Sequence, residues 1–239
     1  SVFSITKFIP SYAGIQLSSE IAALKNITKN IVRPVTCIIG GSKISTKINV
    51  IKNLISKFDN LVFVGGMANN ILKYKEFPIG KSIFEENCDN IVEDIFTSSK
   101  KENCKLFFPI DVCVGKNLND KGNIKELGEV LKDDIILDIG PQTIKILNKT
   151  IEETKTILWN GPAGYFENIN FRKGSFEIAR KIVEKNKKNE IYSVAGGGDT
   201  VAALNDFGFT EYFNFVSTAG GAFLEFLEGK ELPGIKALE

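Results

Sequence analysis

The sequence predicts an α/β protein: a doubly wound, mainly parallel sheet with helices on both faces, a Rossmann-like three-layer sandwich. Three observations carry this expectation. Short β-branched runs such as VTCII and IYSVA alternate with longer amphipathic segments. The runs are apolar throughout, as strands covered on both faces of a parallel sheet must be. Glycine clusters follow them, where a strand has to turn into the next helix. The right-handed crossover rule then distributes the helices over both faces.

Each element follows from local pattern. Leu17, Ile21, Leu24, Thr28 and Ile31 recur at helical spacing, so residues near 11–30 read as a helix. Residues 35–39 form a short apolar strand. The next helix carries Ile44, Ile48, Ile51, Ile55 and Phe58 on one stripe. Residues 61–64 are a strand, and a helix begins near Met67. Residues 87–101 read as helix, and 105–108 and 111–114 as extended. The polar, glycine-containing stretch 117–128 reads as a loop or hairpin. Strand 135–138 precedes a helix over 142–153, and strand 156–159 precedes a helix over 171–187. Strand 191–195 leads into helix 199–206, and strand 213–216 into a final helix over 220–228. No linker rich in Pro, Gly or Ser divides the chain. Residues 1–30 read as an N-terminal segment and helix, and 31–239 as one α/β domain.

Composition limits the chemistry. Thirty basic and 29 acidic side chains in 239 residues leave a net charge of +1, which argues against a strongly basic nucleic-acid surface. Histidine is absent, so imidazole bases and histidine-containing nucleophile systems and zinc sites are excluded. Lysines, carboxylates, amides and backbone groups must do the work. None of the four cysteines is paired as C-x-x-C, and Cys37 and Cys113 lie in apolar runs, as expected of buried reduced thiols. No apolar stretch approaches the roughly 20 residues of a membrane span. The start lacks a signal-peptide pattern, so the expected location is the cytoplasm, with no membrane partner.

The position of the glycines is the functional signal. Gly40-Gly41, Gly65-Gly66, Asn160–Gly164, Gly196-Gly197-Gly198 and Ser217–Gly221 each follow a strand. In a parallel sheet all five loops fall on one rim, where open α/β sheets bind ligands. Each also feeds a helix N-terminus, whose free N–H groups favour an anion. At one turn's separation, Lys43 and Lys47 share a helix face that continues as Val50 and Leu54, beside the apolar stripe. Asp199, at a helix start after three glycines, suits either an N-cap or a Mg²⁺ ligand beside a phosphate chain. Neither G-x-G-x-x-G nor G-x-x-x-x-G-K-S/T occurs, which weakens an oxidoreductase or P-loop reading.

The segments GGSKISTK, FVGGMANNIL, LDIGPQT, LWNGPAGYFE, AGGGDTVAAL and VSTAGGAFLEFLEGKELPGIKAL, in this order, cover nearly all of the chain. They resemble the C-terminal, nucleotide-binding half of phosphoglycerate kinase. The resemblance implies phosphoryl transfer in glycolysis between ATP and the carboxylate of 3-phosphoglycerate, with Mg²⁺ accompanying ATP or ADP. An ionised carboxylate needs no general base, so positioning and charge neutralisation suffice. It assigns Lys43 to the transferring phosphoryl group and Lys47 to the α- and γ-phosphates, with Gly41 beside them. Gly65 and Gly66 match the floor of the adenine slot, with Tyr165 beside the base. Asn160 and Pro162 match the loop near the phosphates and ribose, and Glu167 the carboxylate that accepts the ribose hydroxyls. Gly197 and Gly198 offer N–H groups to the phosphates, Asp199 matches the metal–nucleotide ligand, and Thr200 a phosphate-side hydroxyl. Gly220 and Gly221 belong to a helix start facing the transferred group, which places Lys43, Gly198 and Gly220 at the catalytic centre.

Three positions depart from the family's pattern: Ala219, Val64 and Ile136 stand where glycine is usual or common. The first bears on transfer, the others on adenine recognition. Nothing in the chain matches the family's N-terminal domain, which binds 3-phosphoglycerate and supplies an arginine. Residues near 11–27 resemble the connector between the halves, and 233–239 the segment that returns toward the other half. The expected whole enzyme is a monomer. This chain alone is expected to bind nucleotide with negligible turnover, and the alternative is a stand-alone nucleotide-binding module.

Overall fold

The structure, a computed structural model, describes residues 3–238. In chain order its strands are β1 (Val35–Ile39), β2 (Asn60–Phe63), β3 (Lys105–Phe107), β4 (Asp111–Gly115), β5 (Asn123–Glu126), β6 (Ile135–Ile139), β7 (Thr156–Asn160), β8 (Tyr192–Ala195) and β9 (Phe215–Val216). The helices are α1 (Ile15–Thr28), α2 (Ile48–Ile55), α3 (Gly65–Tyr74), α4 (Asp89–Lys101), α5 (Pro141–Glu153), α6 (Lys173–Lys187), α7 (Gly198–Asp206), α8 (Gly221–Leu227) and α9 (Pro233–Lys236).

Six strands pair in the order β3-β2-β1-β7-β8-β9, every pair parallel. Cys37 on β1 sits between Leu61 and Leu158, and Ile39 faces Asn160. Successive side chains alternate between two cores. Cys37, Ile39, Leu61 and Leu158 pack with Leu24 and Ile27 of α1, Ile51 of α2, Ile95 of α4 and Phe223 of α8. On the other face Ile38, Val62, Ile157 and Trp159 pack with Leu147 of α5, Ile178 and Ile182 of α6 and Leu204 of α7. The sheet is therefore covered on both sides, as its uniformly apolar strands require.

Two differences from the sequence reading have physical causes. β4 and β6 do not join the main sheet; with β5 they form a separate antiparallel sheet in the order β5-β4-β6. Pro109, which cannot donate to a ladder, lies between β3 and β4. β4 is nonetheless buried on both faces. Val112 and Val114 pack on Leu72, Ile79 and Leu127, while Cys113 packs on Leu137 and Phe171. Of the expected α1 stripe, Leu24 is buried while Leu17 is exposed and Ile21 half-buried; Glu20, Ala23 and Ile27 complete the buried face. Glu20 is satisfied where it lies: its carboxylate accepts from Ser217 Oγ at 2.8 Å and Thr218 N at 2.9 Å.

Candidate functional site

β2, β1, β7, β8 and β9 are adjacent and parallel, so the five glycine-bearing loops leave the same edge of the sheet. Four interstrand steps of about 4.8 Å separate the first loop from the last, roughly 19 Å. Two glycines show why the edge needs small residues. Gly161 has φ +104°, and a Cβ there would stand 2.5 Å from the carbonyl carbon of Gly40, so the loops after β1 and β7 lie back to back. Gly197 has φ +96°, and a Cβ there would stand 2.7 Å from Nδ2 of Asn160.

One polar network joins four of these loops, those after β1, β2, β7 and β8. Lys47 Nζ donates to the Gly40 carbonyl and to Asn160 Oδ1, each at 2.7 Å. Asn160 Nδ2 donates to the Gly196 carbonyl at 2.7 Å. The Gly161 N–H donates to Thr200 Oγ1 at 2.7 Å, and the Met67 N–H to the Gly41 carbonyl at 2.6 Å. Burial pushes the Lys47 ammonium below its ordinary pKa range, with Cys37 and Asp199 opposing. The Cys37 thiol is itself pushed far up by burial and is neutral at pH 7, so Asp199 is the counter-charge that matters. All four cysteines are free and buried, as their sequence context suggested.

Beside this frame lies a cleft of about 320 Å³ between the rim and the small sheet. Its lining includes Gly65, Gly66 and Ile83 from the β2 side, Ile136 and Leu137 of β6, Pro162 and Tyr165 from the loop after β7, and Gly41, Ser42 and Asp199. Thus Gly41, Gly65, Gly66, Pro162, Tyr165 and Asp199 line one hollow. Lys47 and the buried Asn160 and Thr200 form its frame, the Thr200 hydroxyl turned toward Gly161. Gly197 is the N-cap of α7 and Gly198 its first residue, exposed on the rim. Lys43 is exposed and lies in the loop before the 3₁₀ turn Ser45–Lys47 that leads into α2. It therefore does not share a helix face with Lys47, although Val50 and Leu54 are buried as read. Glu167 is exposed and outside the cleft lining. Gly220 is exposed after β9, at the far end of the rim, with φ +57°.

The structure adds residues that periodicity did not reveal. Ile83 lies directly over Gly66, where a Cβ would meet Ile83 Cδ1 at 2.7 Å. It comes from the irregular segment between α3 and α4, which carries no periodic signal. Asn69 donates to the Ile83 carbonyl at 2.8 Å and holds that segment in place. Asp138 is among the cleft-lining residues and accepts from Gly174 N at 2.7 Å and Ile139 N at 2.9 Å. Burial nevertheless pushes its carboxyl up to about 7. Of the departures noted in sequence, Ile136 lines the cleft, whereas Val64 is buried in the sheet core.

Among the described residues, no group of three His, Cys, Asp or Glu side chains could hold a metal alone. The single exposed carboxylate of Asp199 fits a Mg²⁺ ion that takes its other ligands from phosphates and water, the usual coordination for this ion. It does not fit a metal caged by protein alone.

A sequence model of the family described as "Phosphoglycerate kinase" matches residues 1–230. The phosphoglycerate kinase of Zymomonas mobilis is 43% identical over 97% of this chain and 59% of its own length. That of Wolbachia pipientis is 41% identical over 99% of this chain and 60% of its own length. The solved phosphoglycerate kinase of Coxiella burnetii superposes with a TM-score of 0.90 at 41% identity, covering 95% of this chain and 58% of the other. The chain thus spans about three fifths of the relatives it matches.

Proposed function

The chain belongs to the phosphoglycerate kinase family, and from that premise we propose that it supplies the Mg–nucleotide half of phosphoryl transfer between ATP and 3-phosphoglycerate. The observation that carries this reading is the gathering of four of the five glycine-bearing loops, those after β1, β2, β7 and β8, with Lys47 around a single cleft. Gly66, Ile83, Ile136 and Leu137 offer apolar faces to a base at the β2 end. Lys47, the start of α7 and the loop after β9 offer positive charge and free N–H groups toward the other end. Asp199 would hold Mg²⁺ against the phosphates, and the ion would neutralise their charge. Lys47 is desolvated and fixed before any ligand arrives, so its charge acts without reorganisation. Lys43, exposed on a loop, is placed to follow a moving phosphoryl group.

The acceptor side is not built from this chain's arginines. Arg33 pairs with Asp59, Arg172 with Asp206 and Arg180 with Glu177. The carboxylate substrate is therefore assigned to a partner half, and this chain alone is expected to bind Mg·ADP with negligible turnover. A coupled kinase assay tests this, first on the chain alone and then with the N-terminal half of a relative added. Activity appearing only on addition supports the reading. Binding without any rescue favours a stand-alone nucleotide-binding module. Full turnover by the isolated chain contradicts the division of labour.

A further inference from the structure

The segment that carries Ile83 over Gly66 does not end at the base wall. Two residues on, Glu85 reaches the Ser45 turn. Its carboxylate accepts the Ser45 backbone N–H at 3.0 Å and the Ser45 hydroxyl as well. Ser45 opens the 3₁₀ turn that ends at Lys47 and runs on as α2. Its N–H is one of those a helix start leaves without an internal partner, and a carboxylate there is favoured by the helix dipole. The same segment is fixed independently to α3: Asn69 donates to the Ile83 carbonyl at 2.8 Å, and the Glu85 N–H donates to Asn70 Oδ1 at 2.9 Å. Asn69 and Asn70 are both buried.

We infer that Glu85 is a positioning residue: it ties the turn bearing Lys47 and the adjoining Lys43 loop to the strap that forms the base wall. This rests on the nucleotide reading and extends it. The geometry separates two jobs. The asparagine pair holds the strap through backbone atoms, and these bonds remain when the Glu85 side chain is removed. The Glu85 carboxylate holds only the lysine turn. Loss of the carboxylate should therefore loosen the phosphate side and leave the base side as it was. Neighbouring bonds agree with this division: Lys47 is fixed at its Nζ end by Gly40 and Asn160, so Glu85 supplies the backbone end of the same lever.

The test is titration calorimetry of the chain with Mg·ADP and, separately, with adenosine. Glu85→Ala is expected to weaken Mg·ADP about tenfold, through the loss of both charge-assisted bonds to Ser45. Adenosine affinity should stay within about twofold. Ser45→Ala, which keeps the backbone bond, should fall between, and the double variant should be no weaker than Glu85→Ala alone. Glu85→Gln should recover part of the loss, because its amide oxygen can still accept from Ser45. Unchanged Mg·ADP affinity in both single variants overturns the inference. So does an equal loss for ADP and adenosine, which would make Glu85 a support of the base wall. Should Glu85→Ala fail to fold, Ser45→Ala decides alone. Absence of Mg·ADP binding by the unaltered chain would remove the nucleotide reading first, a failure visible before any variant is made.

Discussion

Replacing Lys47 by alanine separates binding from folding. The ammonium makes two 2.7 Å bonds, to Gly40 O and Asn160 Oδ1, and has a third N–H left for a phosphate oxygen. A hydrogen bond between charged groups contributes about 1.5–3 kcal/mol, and each 1.4 kcal/mol is tenfold in affinity. The dissociation constant for Mg·ADP should therefore rise about 10- to 100-fold. Stability should move less. Two acceptors lose their donor, at about 1–3 kcal/mol. A desolvated cation is removed at the same time, which offsets part of that cost. The net change is expected below about 2 kcal/mol. Calorimetry gives the affinity. The only tryptophan, Trp159, is buried and donates to Gly161 O at 2.8 Å, so its fluorescence reports the fold around the same loop. A folded Lys47→Ala protein that binds Mg·ADP as tightly as the parent would refute the reasoning.

Three other outcomes are expected. Gly197→Ala places a Cβ 2.7 Å from Asn160 Nδ2 at a φ of +96°, so it should cost about 2–3 kcal/mol in urea unfolding and weaken ADP through displaced Asn160 and Lys47; an unchanged midpoint would count against the strain. Asp199→Asn should reduce the affinity that Mg²⁺ adds to ADP by about tenfold, leaving metal-free binding nearly unaltered; undiminished Mg²⁺ dependence would take Asp199 out of the metal position. Asp138 has a carboxyl raised to about 7 in the fold, against about 4 unfolded. Between those values the folded state keeps a proton that the unfolded chain has lost, so stability falls as pH rises through the window and levels off above it. Asp138→Asn should remove that slope, seen as a thermal midpoint that gains on the parent from pH 4 to pH 7; a constant gap would contradict the burial argument.

The main sheet was legible in sequence because β1 and β7 are buried at every residue and carry no polar alternation. β4, read as extended and followed by a loop or hairpin, does pair with β5 in that way. Its apolar run is buried on both faces too, but by α5, Leu72 and Phe171 and not by parallel neighbours. Burial leaves its mark on composition, and strand direction does not. The buried α1 face coincides with the apolar stripe only at Leu24, because Glu20 counts as polar in any periodicity while Ser217 and Thr218 make its burial tolerable. The rim of glycines was readable because φ near +100° and contacts under 3 Å admit nothing larger at Gly161 and Gly197. Ile83 and Glu85 were not, since an irregular strap has no period and its contacts are set by α3 and the lysine turn. Periodicity starts the helix a turn too early and so takes in Lys43, because buried Ile44 looks like the first member of the α2 stripe.

The most direct test of the shared rim is a crystal structure of the chain with Mg·ADP. The base should lie between Gly66 and Leu137, with the phosphates against Lys47 and the first residues of α7. A nucleotide seated away from that cleft, or none bound at millimolar concentration, would contradict the account.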